Sequence, residues 1–153
     1  MKRIALASDH AGFQGKEAIK KTLADLGLPY TDFGVHAADE SVDYPDFAAR
    51  TAQAVITGEC QQGILVCGSG IGMEIAANKV PGIRAALAWN EETARLARTH
   101  NDANIVAVGA RTTPPEIIDR IIRIFLTTEF EGGRHKRRIE KITQLEKAVG
   151  DRQ

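Results

Sequence analysis

GILVCGSGIG, residues 63–72, is an apolar run that stops abruptly in a glycine-rich turn. Gly63-Ile64-Leu65-Val66 is β-branched, unbroken and of strand length, and the residues after the turn, Met73-Glu74-Ile75-Ala76-Ala77, read as helix. The pattern predicts a buried parallel strand that turns straight into a helix. Three glycines in the turn, Gly68, Gly70 and Gly72, remove side chains where the backbone must come close to a ligand, and the helix start offers unpaired N–H groups to an anion. Cys67 sits at the mouth of this turn. A thiol held between a strand end and a positive helix end ionises more readily than a free cysteine, so one segment supplies both an anion hole and a candidate base.

Taken alone, the motif is weak, because glycine turns also serve plain helix–sheet packing and a cysteine at a strand end is usually inert. A dinucleotide fingerprint would need GxGxxG and an acid at the end of the next strand, where this chain has Leu87-Ala88-Trp89. No GK[ST] follows to make a nucleotide P-loop.

Working outward, strand and helix alternate. Arg3–Ser8 reads as a first strand, followed by Asp9-His10-Ala11-Gly12 and a helix with Ala18, Ile19, Leu23 and Leu26 at helical spacing, closed by Gly27. Tyr30–Phe33 is a short second strand. A polar loop then leads to Pro45, which opens a helix running to about Thr57 with Phe47, Ala48, Thr51, Ala52 and Val55 inward. After the Cys67 strand come a fourth strand at Arg84–Ala88, a helix at Glu91–Thr99, a fifth strand at Ile105–Gly109 and a helix at Glu116–Thr127. The order predicts an α/β Rossmann-like three-layer sandwich with a five-stranded parallel sheet, expected in the order 2-1-3-4-5. A last amphipathic helix from Arg134 to about Val149 has no strand after it, and is expected to pack on its own domain or on a neighbouring subunit. Residues 1–150 read as one domain and 151–153 as a frayed tail.

Composition narrows the function. The chain has 153 residues, with 20 Lys and Arg against 20 Asp and Glu, so no global field draws it to nucleic acid or to an anionic membrane. Cys60 and Cys67 form no CxxC, and no apolar stretch approaches membrane-spanning length. The expectation is a cytoplasmic protein with no metal and no organic cofactor.

In the expected sheet, a crevice opens at the carboxyl ends of strands 1 and 3, where Asp9-His10 and Cys67-Gly68-Ser69 meet. Asp43-Tyr44, His100-Asn101-Asp102 and Arg111 fall in further loops. Individually these read as a helix cap, a polar helix end and a surface charge. Converging at one sheet edge, they form the acid–base and anion-clamp inventory of a phosphosugar enzyme. Arg134 and Arg138, four apart, share a helix face suited to bidentate phosphate contact, although RHKRRIEK also reads as a solvated basic face.

SDHAG at 8–12, DYPDFA at 43–48, GILVCGSGIGMEIAANKVPGIRA at 63–85, RTHNDAN at 98–104, VGAR at 108–111 and EGGRHKRRIEKI at 131–142 carry a resemblance that runs nearly the whole chain in order. The sequence closely resembles type B ribose-5-phosphate isomerases, in the superfamily that also holds galactose-6-phosphate and allose-6-phosphate isomerases. The resemblance implies a cofactor-free aldose–ketose isomerase of the pentose phosphate pathway. In that reading Cys67 moves a proton between C1 and C2 of the opened sugar, and the backbone of Gly68, Ser69, Gly70, Ile71 and Gly72 binds the enediolate oxygens. His100 is the implied ring-opening acid with Asn101 beside it, and Asp9 binds sugar hydroxyls. His10, Arg134 and Arg138 take the phosphate end, Arg111 contacts substrate and Tyr44 lines the pocket. Some members use a glutamate in the glycine-loop region instead of the cysteine. Here Met73 stands where it would fall, with Glu74 one step later. Members are dimers or tetramers whose sites draw on two subunits. The six-carbon sugar phosphates and a non-catalytic phosphosugar-binding module are the alternatives.

Overall fold

The computed structural model describes residues 2–151. Five parallel strands, β1 (Ile4–Ser8), β2 (Tyr30–Asp32), β3 (Gln62–Cys67), β4 (Ala85–Leu87) and β5 (Ile105–Gly109), alternate with α1 (Phe13–Asp25), α2 (Tyr44–Ile56), α3 (Ile71–Ala77), α4 (Glu91–Thr99) and α5 (Pro115–Thr127). A sixth helix, α6 (Arg134–Asp151), follows. It carries the first residue of the tail expected to fray, and 152–153 lie outside the described residues.

The sheet order is β2-β1-β3-β5-β4, which corrects the expected 2-1-3-4-5. The reason is burial. All five residues of β5 are buried, whereas Ala86 and Leu87 of the three-residue β4 are half-buried. An apolar strand covered on both faces belongs inside a parallel sheet, and a short one makes the less vulnerable edge. The swap also fixes helix placement. Because β4 to β5 steps back across the sheet, a right-handed crossover puts α4 on the face of α1 and α5 and leaves α2 and α3 on the other.

Strand alternation sorts the two cores. Ile4, Leu6, Ile64, Val66, Val106 and Val108 meet Ile19, Leu23, Ile118, Ile122 and Phe125 under α1, α4 and α5. On the opposite face Ala7, Leu65, Cys67, Ile105 and Ala107 meet Ala48, Ala52, Met73 and Ala77. Small residues there bring α2 and α3 close to the sheet, and Cys67 ends the strand on that side.

Among the described residues one charged group is buried outright. The side chain of Lys16 on α1 is wholly inaccessible, and its ammonium donates to both Asp32 carboxylate oxygens at 2.8 Å and to the Val35 carbonyl. Lys20 reaches Asp32 at 2.9 Å, and the Gly34 N–H donates to it at 2.9 Å. Asp32 thereby ties α1 to the end of β2 and to the loop that leads toward the crevice.

Candidate active site

The carboxyl ends of β1 and β3 frame a cavity of about 630 Å³ lined by Asp9, His10, Tyr44, Cys67, Gly68, Ser69, Ile71, Gly72, Ile75 and Arg111, among others. Most of the residues expected at the crevice therefore meet there. Cys67 is 5% exposed, and its Sγ accepts the Gly70 N–H at 3.1 Å, which holds the sulfur at the mouth of the glycine turn. Asp9, buried, accepts the Gly12 N–H through Oδ1 at 2.9 Å, which fixes it beside the cavity. His10 Nδ1 accepts the Val42 N–H at 3.2 Å, so the neutral ring carries its proton on Nε2. The loop after β5 is pinned by Ala110 N–H to the Cys67 carbonyl at 2.8 Å and Arg111 N–H to the Gly68 carbonyl at 2.9 Å, which sets Arg111 against the glycine turn.

The glycines serve purposes the sequence does not separate. Gly70 has φ of 80° and lies against the Val108 backbone, where a Cβ would meet the carbonyl carbon at 2.9 Å. At Gly72 a Cβ would strike the Tyr44 ring at 2.5 Å, so this glycine admits a neighbouring side chain that itself lines the cavity. Nor are all the turn's N–H groups open: Gly70 donates to Cys67, and Ile71 donates to Ser69 Oγ at 3.2 Å. Glu74 lies on α3 among the residues facing α6, with Asn78, Ile142 and Glu146, whereas Ile71, Gly72 and Ile75 line the Cys67 cavity. Met73 is fully buried in the core.

His100, Asn101, Arg134 and Arg138 do not line this cavity, and for His100-Asn101-Asp102 that corrects the expected convergence at one edge. In a parallel sheet the end of a crossover helix lies at the amino edge of the next strand. Gly63 pairs with Ile105 at that edge and Cys67 with Gly109 at the other, on the order of 13 Å of strand apart. His100, the C-cap of α4, therefore sits across the sheet from Cys67. Asp102 is held there by Arg98 at 2.9 Å and Arg84 at 3.5 Å, and the Asn101 carbonyl accepts from Arg84 Nε at 2.9 Å.

Around His100 a second cluster forms that includes a residue sequence reasoning missed. The His135 ring stacks on His100 with centroids 4.1 Å apart and planes 15° from parallel. Glu131 approaches His135 Nε2 at 3.7 Å, and the Glu131 N–H donates to the Thr99 carbonyl at 3.1 Å, so the start of α6 is fastened to the end of α4. Burial, with the charges of His100, Arg134 and Arg138, holds the His135 imidazole below the usual histidine range against the pull of Glu131. Within RHKRR, His135 reads as one more polar residue of a solvated face. Its only sequence cue is Glu131 one helical turn earlier.

Residues 4–142 match the family model for ribose/galactose isomerase. Ribose-5-phosphate isomerase B of Escherichia coli K12 is 43% identical over 146 residues, 95% of this chain and 97% of that protein. The structure of the Clostridium thermocellum ribose-5-phosphate isomerase B superposes with a TM-score of 0.94 at 48% identity, covering 96% of this chain and 99% of that one. The Mycoplasma genitalium ribose-5-phosphate isomerase B, with ribulose-5-phosphate bound, superposes with a TM-score of 0.91 at 42% identity over 95% of this chain and 96% of that one. Matched nearly end to end by the family model and by relatives of this identity, the chain belongs to the ribose/galactose isomerase family.

Proposed function

We propose that this chain interconverts D-ribose 5-phosphate and D-ribulose 5-phosphate, a step of the pentose phosphate pathway, through ring opening and an enediolate intermediate. The observation that carries this reading is the Cys67 thiol in a crevice beside Asp9, His10 and Arg111, with a backbone N–H on its sulfur. Family membership and the relatives' sugar-phosphate chemistry support it. Cys67 takes the C2 proton of the open aldose and returns it to C1. Electrons from the broken C–H bond form the enediol double bond, and one proton passes from the C2 hydroxyl to the C1 oxygen, so that C2 becomes the carbonyl as C1 is protonated. Gly68, Ser69 and Gly72 N–H groups hold the developing oxyanion, since those of Gly70 and Ile71 are already engaged; losing one such donor costs about 100-fold to 1000-fold in comparable sites. His10 Nε2–H and Arg111 contact the substrate from the opposite wall.

The site is completed by a second copy of the chain. His100, the implied ring-opening acid, and the phosphate-binding Arg134 and Arg138 lie across the sheet from Cys67, so one chain holds two half-sites. Exposed apolar residues support the pairing: Ile71 and Ile75 flank the crevice on α3, and Ile142, Leu145 and Val149 run along α6. Among the described residues no helix is long and apolar enough to cross a membrane, so this surface is not a membrane span.

Incubating the protein with ribose 5-phosphate, allose 6-phosphate and galactose 6-phosphate in parallel tests the assignment. Ribulose 5-phosphate is expected to form with the highest kcat/KM of the three. Faster turnover of a six-carbon substrate would move the assignment within the family, and binding without turnover would make the chain a phosphosugar-binding module.

A further inference from the structure

We propose that His100, Glu131 and His135 form a binding site for a divalent transition metal, zinc, and that occupancy inhibits the enzyme. One ligand atom from each residue lies within 4.8 Å of the other two. In a tetrahedral site with metal bonds of about 2.0–2.2 Å, ligand atoms stand roughly 3.3 Å apart, so closure needs on the order of 1.5 Å of side-chain movement. The residues divide that task well. His135 is buried and serves as the fixed member, whereas Glu131 is exposed and has room to move. His100 is half-buried at a helix end. The main chain is already clamped, because the Glu131 N–H holds the Thr99 carbonyl beside His100.

Two imidazoles and one carboxylate suit zinc, copper or nickel and not magnesium or calcium, which prefer all-oxygen sets. Stacked rings have parallel lone pairs that do not converge on one ion. Binding therefore turns the His100 ring out of its stack and places its nitrogen on the metal. The inhibitory consequence rests on the reading of His100 as ring-opening acid, but the binding itself does not.

Calorimetric titration of the metal-free full-length protein with zinc sulfate reads the binding without any activity. One zinc per chain is expected, weakened at least tenfold by Glu131→Gln and by His135→Gln and unchanged by Cys67→Ala. Magnesium is expected neither to bind nor to compete. Glu131 is exposed, so its variant keeps the fold even if the buried His135 tolerates change poorly. Absence of saturable binding, indifference to both substitutions, or loss on Cys67→Ala with retention in Glu131→Gln would each overturn the site; the last would put the metal on the thiol. In the isomerase assay, zinc is expected to inhibit wild type over the concentrations at which it binds, and Glu131→Gln only at higher ones. Inhibition equally strong in Glu131→Gln would overturn the inhibitory role while leaving the substrate assignment untouched.

Discussion

Cys67→Ala is expected to lower kcat by about 1000-fold while the far-UV spectrum stays that of the parent, since a positioned proton carrier contributes about 100-fold to 10,000-fold. The substitution deletes one sulfur atom at the lip of the cavity and leaves the Gly70 N–H facing an opening of about 630 Å³ that water can enter. Folding therefore suffers little, and substrate affinity, carried by the arginines and His10, is retained. Alkylation gives an independent reading on the unaltered protein. Iodoacetamide is expected to label Cys67 and abolish turnover, with ribose 5-phosphate protecting. Cys60 serves as the internal control, because it is wholly inaccessible and burial, reinforced by Glu59, pushes its thiol up. Near-parental turnover in Cys67→Ala would transfer the base to another group of the cavity, with Asp9 the carboxylate that lines it.

The largest expected effect on stability comes from Asp32→Ala. It strips the partner from the inaccessible Lys16 ammonium, which keeps only the Val35 carbonyl, and breaking a buried pair in this way costs about 3–5 kcal/mol. Urea denaturation of the single variant and of the double variant Lys16→Met/Asp32→Leu separates loss of the pair from loss of volume. The double variant is expected to recover most of the difference, because two apolar groups leave no charge stranded. The pH dependence has a definite sign. Burial alone would raise the Asp32 carboxyl, but hydrogen bonds from Lys16, Lys20 and Gly34 outweigh it and hold the group below the usual carboxylate range. Its stabilising contribution is thus complete above the unfolded value of about 3.9 and is lost as pH falls through the lower folded value. Asp32→Asn is expected to flatten that acid limb. A single-variant cost below about 1 kcal/mol would mean that water reaches Lys16.

Alternation of apolar runs and helical spacing carried the α/β class, and the placement of Cys67 at a strand end followed from Gly68-Ser69-Gly70 alone. Strand order did not follow, because Ala85–Ala88 and Ile105–Gly109 are both short apolar runs and only burial on two faces separates them. The separation of His100 from Cys67 does not depend on that order, since the end of a crossover helix and the end of a strand lie at opposite edges of the sheet whichever strand is central. Lys16 stands near Lys20 and Lys21 on a helix that reads as solvated, so nothing local marks it as buried. His135 was hidden similarly among arginines and lysines, and its burial and its stack with His100 distinguish it.

One chain is proposed to supply Cys67 and another His100 to the same site, and mixing two inactive variants tests this division most directly. Cys67→Ala and His100→Asn, each inactive on cyclic ribose 5-phosphate, are co-expressed with different tags and the heterodimer is purified through both. In a two-fold dimer each mixed pair holds one site with both native residues and one with neither, so activity near one-half of the parent per dimer is expected. A verified heterodimer with no recovered turnover would put Cys67 and His100 in the same chain's site and contradict the division of labour proposed for the two edges of the sheet.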